Sequence, residues 1–188
     1  MLNAGQFYFC GMRKLSMDEL NRKTVEEFKE AEKNKIIVLL DNIRSAYNVG
    51  SIFRSADAFL IEGLFLCGYT PQPPHRDIQK TALGATDTVS WHYYSTTREG
   101  IEAARQLGYR ILAVEQAAGS ESLEKLNWQE NQKFALVLGN EVTGVAEEVF
   151  EYCDACVEIP QMGMKHSLNI SVAAGIVLWE LVRNRIGK

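Results

Sequence analysis

Five consecutive apolar residues, Ile36 to Leu40 (IIVLL), place the strongest limit on what this chain can fold into. A strand with one wet face alternates apolar and polar side chains. An unbroken apolar run has no wet face and must be covered above and below. The same signature returns in FALVLG at 134–139, and more weakly in GLFLCG at 63–68, YRILAVE at 109–115 and CVEIP at 155–159. Between these runs lie helix-period segments at 46–60, 97–107 and 146–152, and a long apolar helix starts near Ser167. Covered strands alternating with helices predict an α/β fold, with a mainly parallel sheet and helices on both faces. With 188 residues, 46% of them hydrophobic, the chain can build that core without disulfides or metals.

Residues 1–35 follow another rhythm. In SMDEL, Ser16 and Glu19 have capping-box spacing, which predicts a charged surface helix to about Asn34 with a thin stripe of Leu20, Val25 and Phe28. The expected division is a charged N-terminal helical extension, 1–35, and one main domain, 36–188. YTPQPPHRD (69–77) is too rich in proline for regular structure.

Several function classes fall away. The apolar run 168–182 is interrupted by Asn169, Ser171 and Glu180 and falls short of the roughly 20 residues a bilayer span needs. No signal-peptide pattern opens the chain. Cys153 and Cys156 form a C-x-x-C between a helix and a strand, without a second ligand pair, and read as structural thiols in a reduced, cytoplasmic protein. His75, His92 and His166 are well separated, so no metal site is expected, and His166 reads as solvated. The net charge of −4 provides no basic footprint, so a nucleic-acid partner would need a local patch.

Parallel α/β sheets bind ligands beyond the carboxyl ends of their strands. The relevant loops begin at Asp41, Glu115, Gly139 and Pro160. In DNIRSAYNVGSIFRSADAF, Val49, Ile52, Phe53, Ala56 and Leu60 gather on one helix stripe, while Arg54 lies on the far side with Ser51, Ser55 and Ala58. Taken alone, Arg54 reads as a solvated side chain paired with Asp57. Gly50 costs about 1 kcal/mol relative to alanine inside a helix, which suggests that another backbone or a ligand comes close. Asn48 places an amide at the helix start. In LGNEVTG, Gly139 lets the backbone lie against a ligand, with Glu141 and Gly144 in a tight loop; a plain turn reads equally well. In IPQMGMKHSLNIS, Ser167 stands where an N-cap belongs, and Asn169 is polar at the front of an apolar helix. No G-x-G-x-x-G follows the first strand and no Walker loop is present, which leaves dinucleotide and Rossmann-type sites unsupported.

Together, NVGSIFR, GNEVTG and IPQMGMKHSLNIS resemble the three motifs of the SpoU/TrmH family in the SPOUT superfamily, RNA ribose 2′-O-methyltransferases. The resemblance runs from about Ile36 to the C-terminus. It implies a deep trefoil knot in the C-terminal part, a homodimer, and S-adenosyl-L-methionine (AdoMet) held in the knot. By that resemblance the cofactor would contact Leu138, Gly139, Ile159, Ser167 and Leu168, with Val114 and Glu115 forming another wall. Arg54 would act on the ribose hydroxyl, supported by Asn48, Glu141, Ser167 and Asn169. A guanidinium stays protonated, so orienting the ribose and stabilising the alkoxide is easier for it than acting as base; base catalysis stays open.

The reaction implied is methylation of a ribose 2′-hydroxyl in transfer or ribosomal RNA. A base-methylating SPOUT enzyme, a non-catalytic RNA-binding module on the same scaffold and a flavodoxin-like nucleotide binder are the alternatives. A dimer would cover the long apolar helix and could bring Arg44, Arg54, Arg76 and Lys80 from different chains into one RNA-facing patch. Gly50 then reads as room for the knot or the dimer partner. His75 and Arg76 are candidate RNA contacts.

Overall fold

The computed structural model describes residues 13–16, 18–20, 22–126, 132–164 and 167–183. His166 and Cys10 lie outside the described residues. After a 3-10 turn (Asp18–Leu20) come α1 (Val25–Glu30), β1 (Asn34–Asp41), α2 (Ala46–Ala58), β2 (Ile61–Cys67), α3 (Arg76–Ala82), α4 (Ala85–Thr88), β3 (Trp91–Tyr94), α5 (Thr97–Gln106) and β4 (Arg110–Val114). The chain continues through β5 (Glu121–Ser122), a 3-10 turn (Leu123–Lys125), β6 (Phe134–Leu138), α6 (Glu147–Phe150), β7 (Ala155–Glu158) and α7 (Ile170–Val182).

Among the described residues seven strands form one sheet in the order β3-β2-β1-β6-β4-β7-β5, with every pairing between them parallel. The apolar run behaves as its composition demands. Ile36, Val38 and Leu40 enter one core with Val49, Ile52, Phe53 and Leu178. Ile37 and Leu39 enter the opposite core with Ile101, Ala104 and Val149. The period of two along β1 therefore divides its side chains between two covered faces. Strand β6 comes late in the chain yet lies between β1 and β4, with Leu138 opposite both Leu40 and Val114. The loops leaving β1, β4, β6 and β7 consequently open on one edge of the sheet.

Several boundaries differ from expectation. The Ser16–Glu19 box forms, with Ser16 N–H donating to Glu19 Oε2 at 2.8 Å, but it starts only the 3-10 turn. A second box, Thr24 with Glu27, begins α1. An N-cap residue takes extended dihedrals, and Thr24 has ψ 170°, so two successive boxes cannot share one helix. Phe28 is buried in the core and anchors α1 to the body, while β1 begins two residues before the expected start.

Residues 69–75 are irregular, but His75 N-caps α3, with Nδ1 accepting from Asp77 N–H. Only Ile78 and Ala82 of α3 are buried, a stripe too thin to read from sequence. The edge strand β3 and two-residue β5 carry no fully buried side chain, and they too went unmarked. Gly50 is explained within the chain. A Cβ there would strike Thr81 Oγ1 and the Ile78 carbonyl, so the glycine lets α3 cross against α2, rather than admitting a knot strand or a partner. Among the described residues no helix is long and apolar enough to cross a membrane.

Candidate active site

The loop leaving β6 is built on itself. Asn140 and Gly144 exchange backbone hydrogen bonds of 2.9 and 2.8 Å. Asn140 Oδ1 accepts from Val142 N–H at 2.8 Å, an Asx turn that closes the loop. A Cβ on Gly139 would collide with Gly144 and Val145 N, so the glycine admits the returning loop, which favours the turn over a close ligand as the reason for it. Gly144 has φ +69°, where a side chain would meet the Glu115 carboxylate. Two carboxylates from neighbouring strands hold the loop's exit. Glu115 Oε2 accepts from Val145 N–H at 3.2 Å, and Asp41 Oδ2 accepts from Ala146 N–H at 3.3 Å. Asp41 is itself buried and also accepts from the Thr97 hydroxyl.

From this loop Glu141 reaches across to the start of α2. Its carboxylate accepts from Arg44 N–H at 3.0 Å, Ser45 N–H at 3.2 Å and Asn48 Nδ2 at 2.8 Å. Burial alone would raise the Glu141 carboxyl, but these donors outweigh it and leave the group below the ordinary carboxylate value. The cap of α2 is Ser45, whose Oγ accepts from Asn48 N–H. The Asn48 side chain is thereby left for Glu141, and its Oδ1 accepts from Asn169 Nδ2 at 3.2 Å. Asn169 in turn caps α7, its Oδ1 accepting from Ser171 N–H at 2.9 Å. The expected cap at Ser167 is thus displaced to Asn169, because residues 167–169 line the cavity outside any helix before α7 begins at Ile170. Asn48 is 93 residues from Glu141 and 121 from Asn169 in sequence, yet the three form one polar chain.

Behind that chain lies a cavity of about 650 Å³. All seven residues expected around a cofactor line it: Val114, Glu115, Leu138, Gly139, Ile159, Ser167 and Leu168. Glu141 and Asn169 line it as well. Val114, Leu138, Ile159 and Leu168 provide apolar wall, and Glu115 and Glu141 add carboxylates; the volume falls in the ordinary range for small-molecule sites.

Arg54 is elsewhere. It lies on the exposed side of α2 and lines a second cavity of about 580 Å³ with Ser51, Ser55, Lys80 and Gly175. The Arg54–Asp57 pair does not form: Asp57 accepts from Thr88 Oγ1 at 2.6 Å, and Arg54 makes no ion pair among the described residues. Asn140 was passed over in the sequence, although an Asn directly after the last glycine of a buried strand is a turn signal. The thiols of Cys153 and Cys156 donate to the Val149 and Glu115 carbonyls, each at 3.4 Å. Burial pushes the Cys153 thiol up to about 11 and raises that of Cys156, which favours the unreactive protonated form.

This arrangement has relatives. A family model described as the SpoU rRNA Methylase family matches residues 35–179. A putative TrmH family tRNA/rRNA methyltransferase of Staphylococcus aureus (strain MSSA476) is 27% identical over 161 residues, covering 86% of this chain and 64% of that protein. The chain therefore spans a little under two thirds of that relative's length. The crystal structure of an AdoMet-bound rRNA methyltransferase from Sinorhizobium meliloti matches with a TM-score of 0.76 and 28% identity, over 85% of this chain and 61% of that one. A structure described as giving insight into 2-OH methylation of C/U34 on tRNA matches with a TM-score of 0.70 and 25% identity, over 81% of this chain and 97% of that one.

Proposed function

The chain belongs to the SpoU rRNA Methylase family, and from that premise we propose that it transfers a methyl group from AdoMet to a ribose 2′-hydroxyl of transfer or ribosomal RNA. The observation that carries this reading is the convergence of three separated motifs. Asn48, Glu141 and Asn169 are hydrogen-bonded into one chain at the mouth of a cavity of suitable size. The 2-OH methylation named for one structural relative supports ribose over base as the target.

AdoMet would supply an electrophilic methyl on a sulfonium. Val114, Glu115, Leu138, Gly139, Ile159, Ser167 and Leu168 would hold it. The 2′-oxygen would form its bond to the methyl carbon as the carbon–sulfur bond breaks, and the hydroxyl proton would leave to water or a nearby base. Asn48, Glu141 and Asn169 would orient the ribose, and positioning alone accounts for much of such a barrier. Arg54 would stabilise the developing alkoxide as a fixed cation.

Because Arg54 does not line the cavity of its own chain, the reading includes a homodimer. Val172, Ile176 and Trp179 form an exposed apolar row on α7, and Gly175 of the same helix lines the Arg54 cavity. A second copy on that row would cover it and bring other cations near each cavity; a sedimentation measurement giving a monomer would remove this part. The reading also carries a C-terminal knot, supported by the late insertion of β6 between β1 and β4, with 36–188 as the catalytic domain, 1–35 as its extension, and action in the cytoplasm.

The decisive experiment is transfer from labelled AdoMet to unmodified total RNA, followed by mass spectrometry of the nucleosides. A 2′-O-methylnucleoside is the expected product. Methylated bases, or unmethylated RNA, would refute the reading.

A further inference from the structure

Tyr69, the second residue after β2, is 61% exposed, yet it is held at both ends. Its N–H donates to Asn42 Oδ1 at 3.3 Å. The preceding Gly68, at φ +64°, donates its N–H to the Tyr94 carbonyl at 3.1 Å. The following Thr70 is buried; its hydroxyl lies 2.7 Å from the Cys67 carbonyl and 2.9 Å from that of Leu40, and accepts from Ile43 N–H. At the far tip of the side chain, Asn140 Nδ2 donates to the Tyr69 hydroxyl at 2.6 Å. Among the described residues no aromatic ring or cation sits against the Tyr69 ring.

A large exposed aromatic normally keeps its rotamer freedom. Here the backbone and the hydroxyl are both fixed while the ring face is open, so a ligand stacking on it would meet a side chain already ordered. The location narrows the ligand. The anchor Asn140 directly precedes Glu141, the residue bound to Asn48 at the polar mouth of the cavity. The exposed Arg44 follows Asn42 by two residues, and the exposed Arg76 and Lys80 follow the proline-rich segment. An open ring beside a reaction mouth, with exposed cations that suit phosphates close to it in the sequence, matches the way unpaired RNA bases are read.

We propose that Tyr69 is a stacking platform for an unpaired RNA base next to the methylated ribose, and so a residue that selects the target. This rests on the RNA methyltransferase reading. Stacking of one base is worth about 1–3 kcal/mol.

The test uses the full-length protein, AdoMet and unmodified total RNA, comparing wild type with Tyr69→Ala and Tyr69→Phe. Tyr69→Ala should raise the half-saturating RNA concentration about tenfold while leaving AdoMet affinity by calorimetry and the rate at saturating RNA unchanged. Tyr69→Phe keeps the ring but loses the Asn140 anchor, and should fall between wild type and Tyr69→Ala. A wild-type RNA requirement in Tyr69→Ala would overturn the proposal alone. So would a loss of AdoMet affinity, which would make Tyr69 a prop for Asn140, or a Tyr69→Phe as impaired as Tyr69→Ala. Absence of methyl transfer by the wild type would overturn the functional reading itself, and this proposal with it.

Discussion

The two cavities are made in different ways. The larger is shaped chiefly by backbone: the loop 139–146 is folded on itself, clamped by Glu115 and Asp41, and closed by a glycine that leaves no room for a side chain. The smaller is shaped by side chains on helical faces, where Arg54 and Ser51 of α2 and Lys80 of α3 line it. A backbone-built cavity is pre-organised and suits a ligand of fixed shape. A cavity lined by exposed cations suits a flexible anion and depends on what comes to lie against it. On the proposed function, the first would hold AdoMet and the second would meet RNA or a partner chain.

The sharpest way to break that assignment is Arg54→Ala. Removing one pre-organised donor to a developing oxyanion costs about 10²–10³-fold in rate. Methyl transfer should fall by that order while AdoMet affinity, measured by calorimetry, stays at the wild-type value, because Arg54 does not touch the larger cavity. If Arg54→Ala instead weakened AdoMet binding, the two cavities would not be separate in function. Arg54→Lys divides the roles further, since near-wild-type activity would count against any special use of the guanidinium plane.

Gly139→Ala attacks the other member of the comparison and should have a smaller effect. The added methyl meets Gly144 and Val145 N, and forced overpacking of this kind costs about 1–3 kcal/mol. The loop must shift, so AdoMet affinity should fall roughly tenfold, with RNA binding in a filter assay little changed. Equal loss of both would mean that the loop serves the RNA side as well.

The contrast also explains what could be read from the chain. The core was legible because IIVLL and FALVLG admit only a strand covered on two faces, and the structure divides Ile36–Leu40 between two cores accordingly. The cavity wall was implied by the family resemblance that the three motifs carry, and the seven residues named from it meet there. Polarity and spacing name residues but not their partners. Gly50 and Gly139 were correctly marked as close approaches, yet what approaches them is α3 and the loop itself. The cap of α7 was misplaced because Ser167 and Asn169 are both good caps, and only the placing of 167–169 against the cavity wall selects between them. Asn140 and Tyr69 escaped notice because each is an ordinary loop residue until the hydrogen bond between them is seen.

Glu141 belongs to both sides, and its replacement should have the smallest effect of the three and the most telling pH dependence. Glu141→Gln keeps the shape but replaces an acceptor oxygen with an amide NH2, which cannot accept from all of Arg44 N–H, Ser45 N–H and Asn48 Nδ2. The lost bond is worth about 1 kcal/mol. In the wild type the carboxyl lies below its ordinary value of 4.5 when folded. Its contribution is therefore complete above that value and disappears as the pH falls through the lower folded value. Thermal melting followed from pH 7 downward should show the wild type above Glu141→Gln at neutral pH, with the gap narrowing only below about pH 4.5. A gap that stayed constant to pH 3 would mean that the amide substitution disturbs packing rather than the charged hydrogen bonds joining the cavity loop to α2.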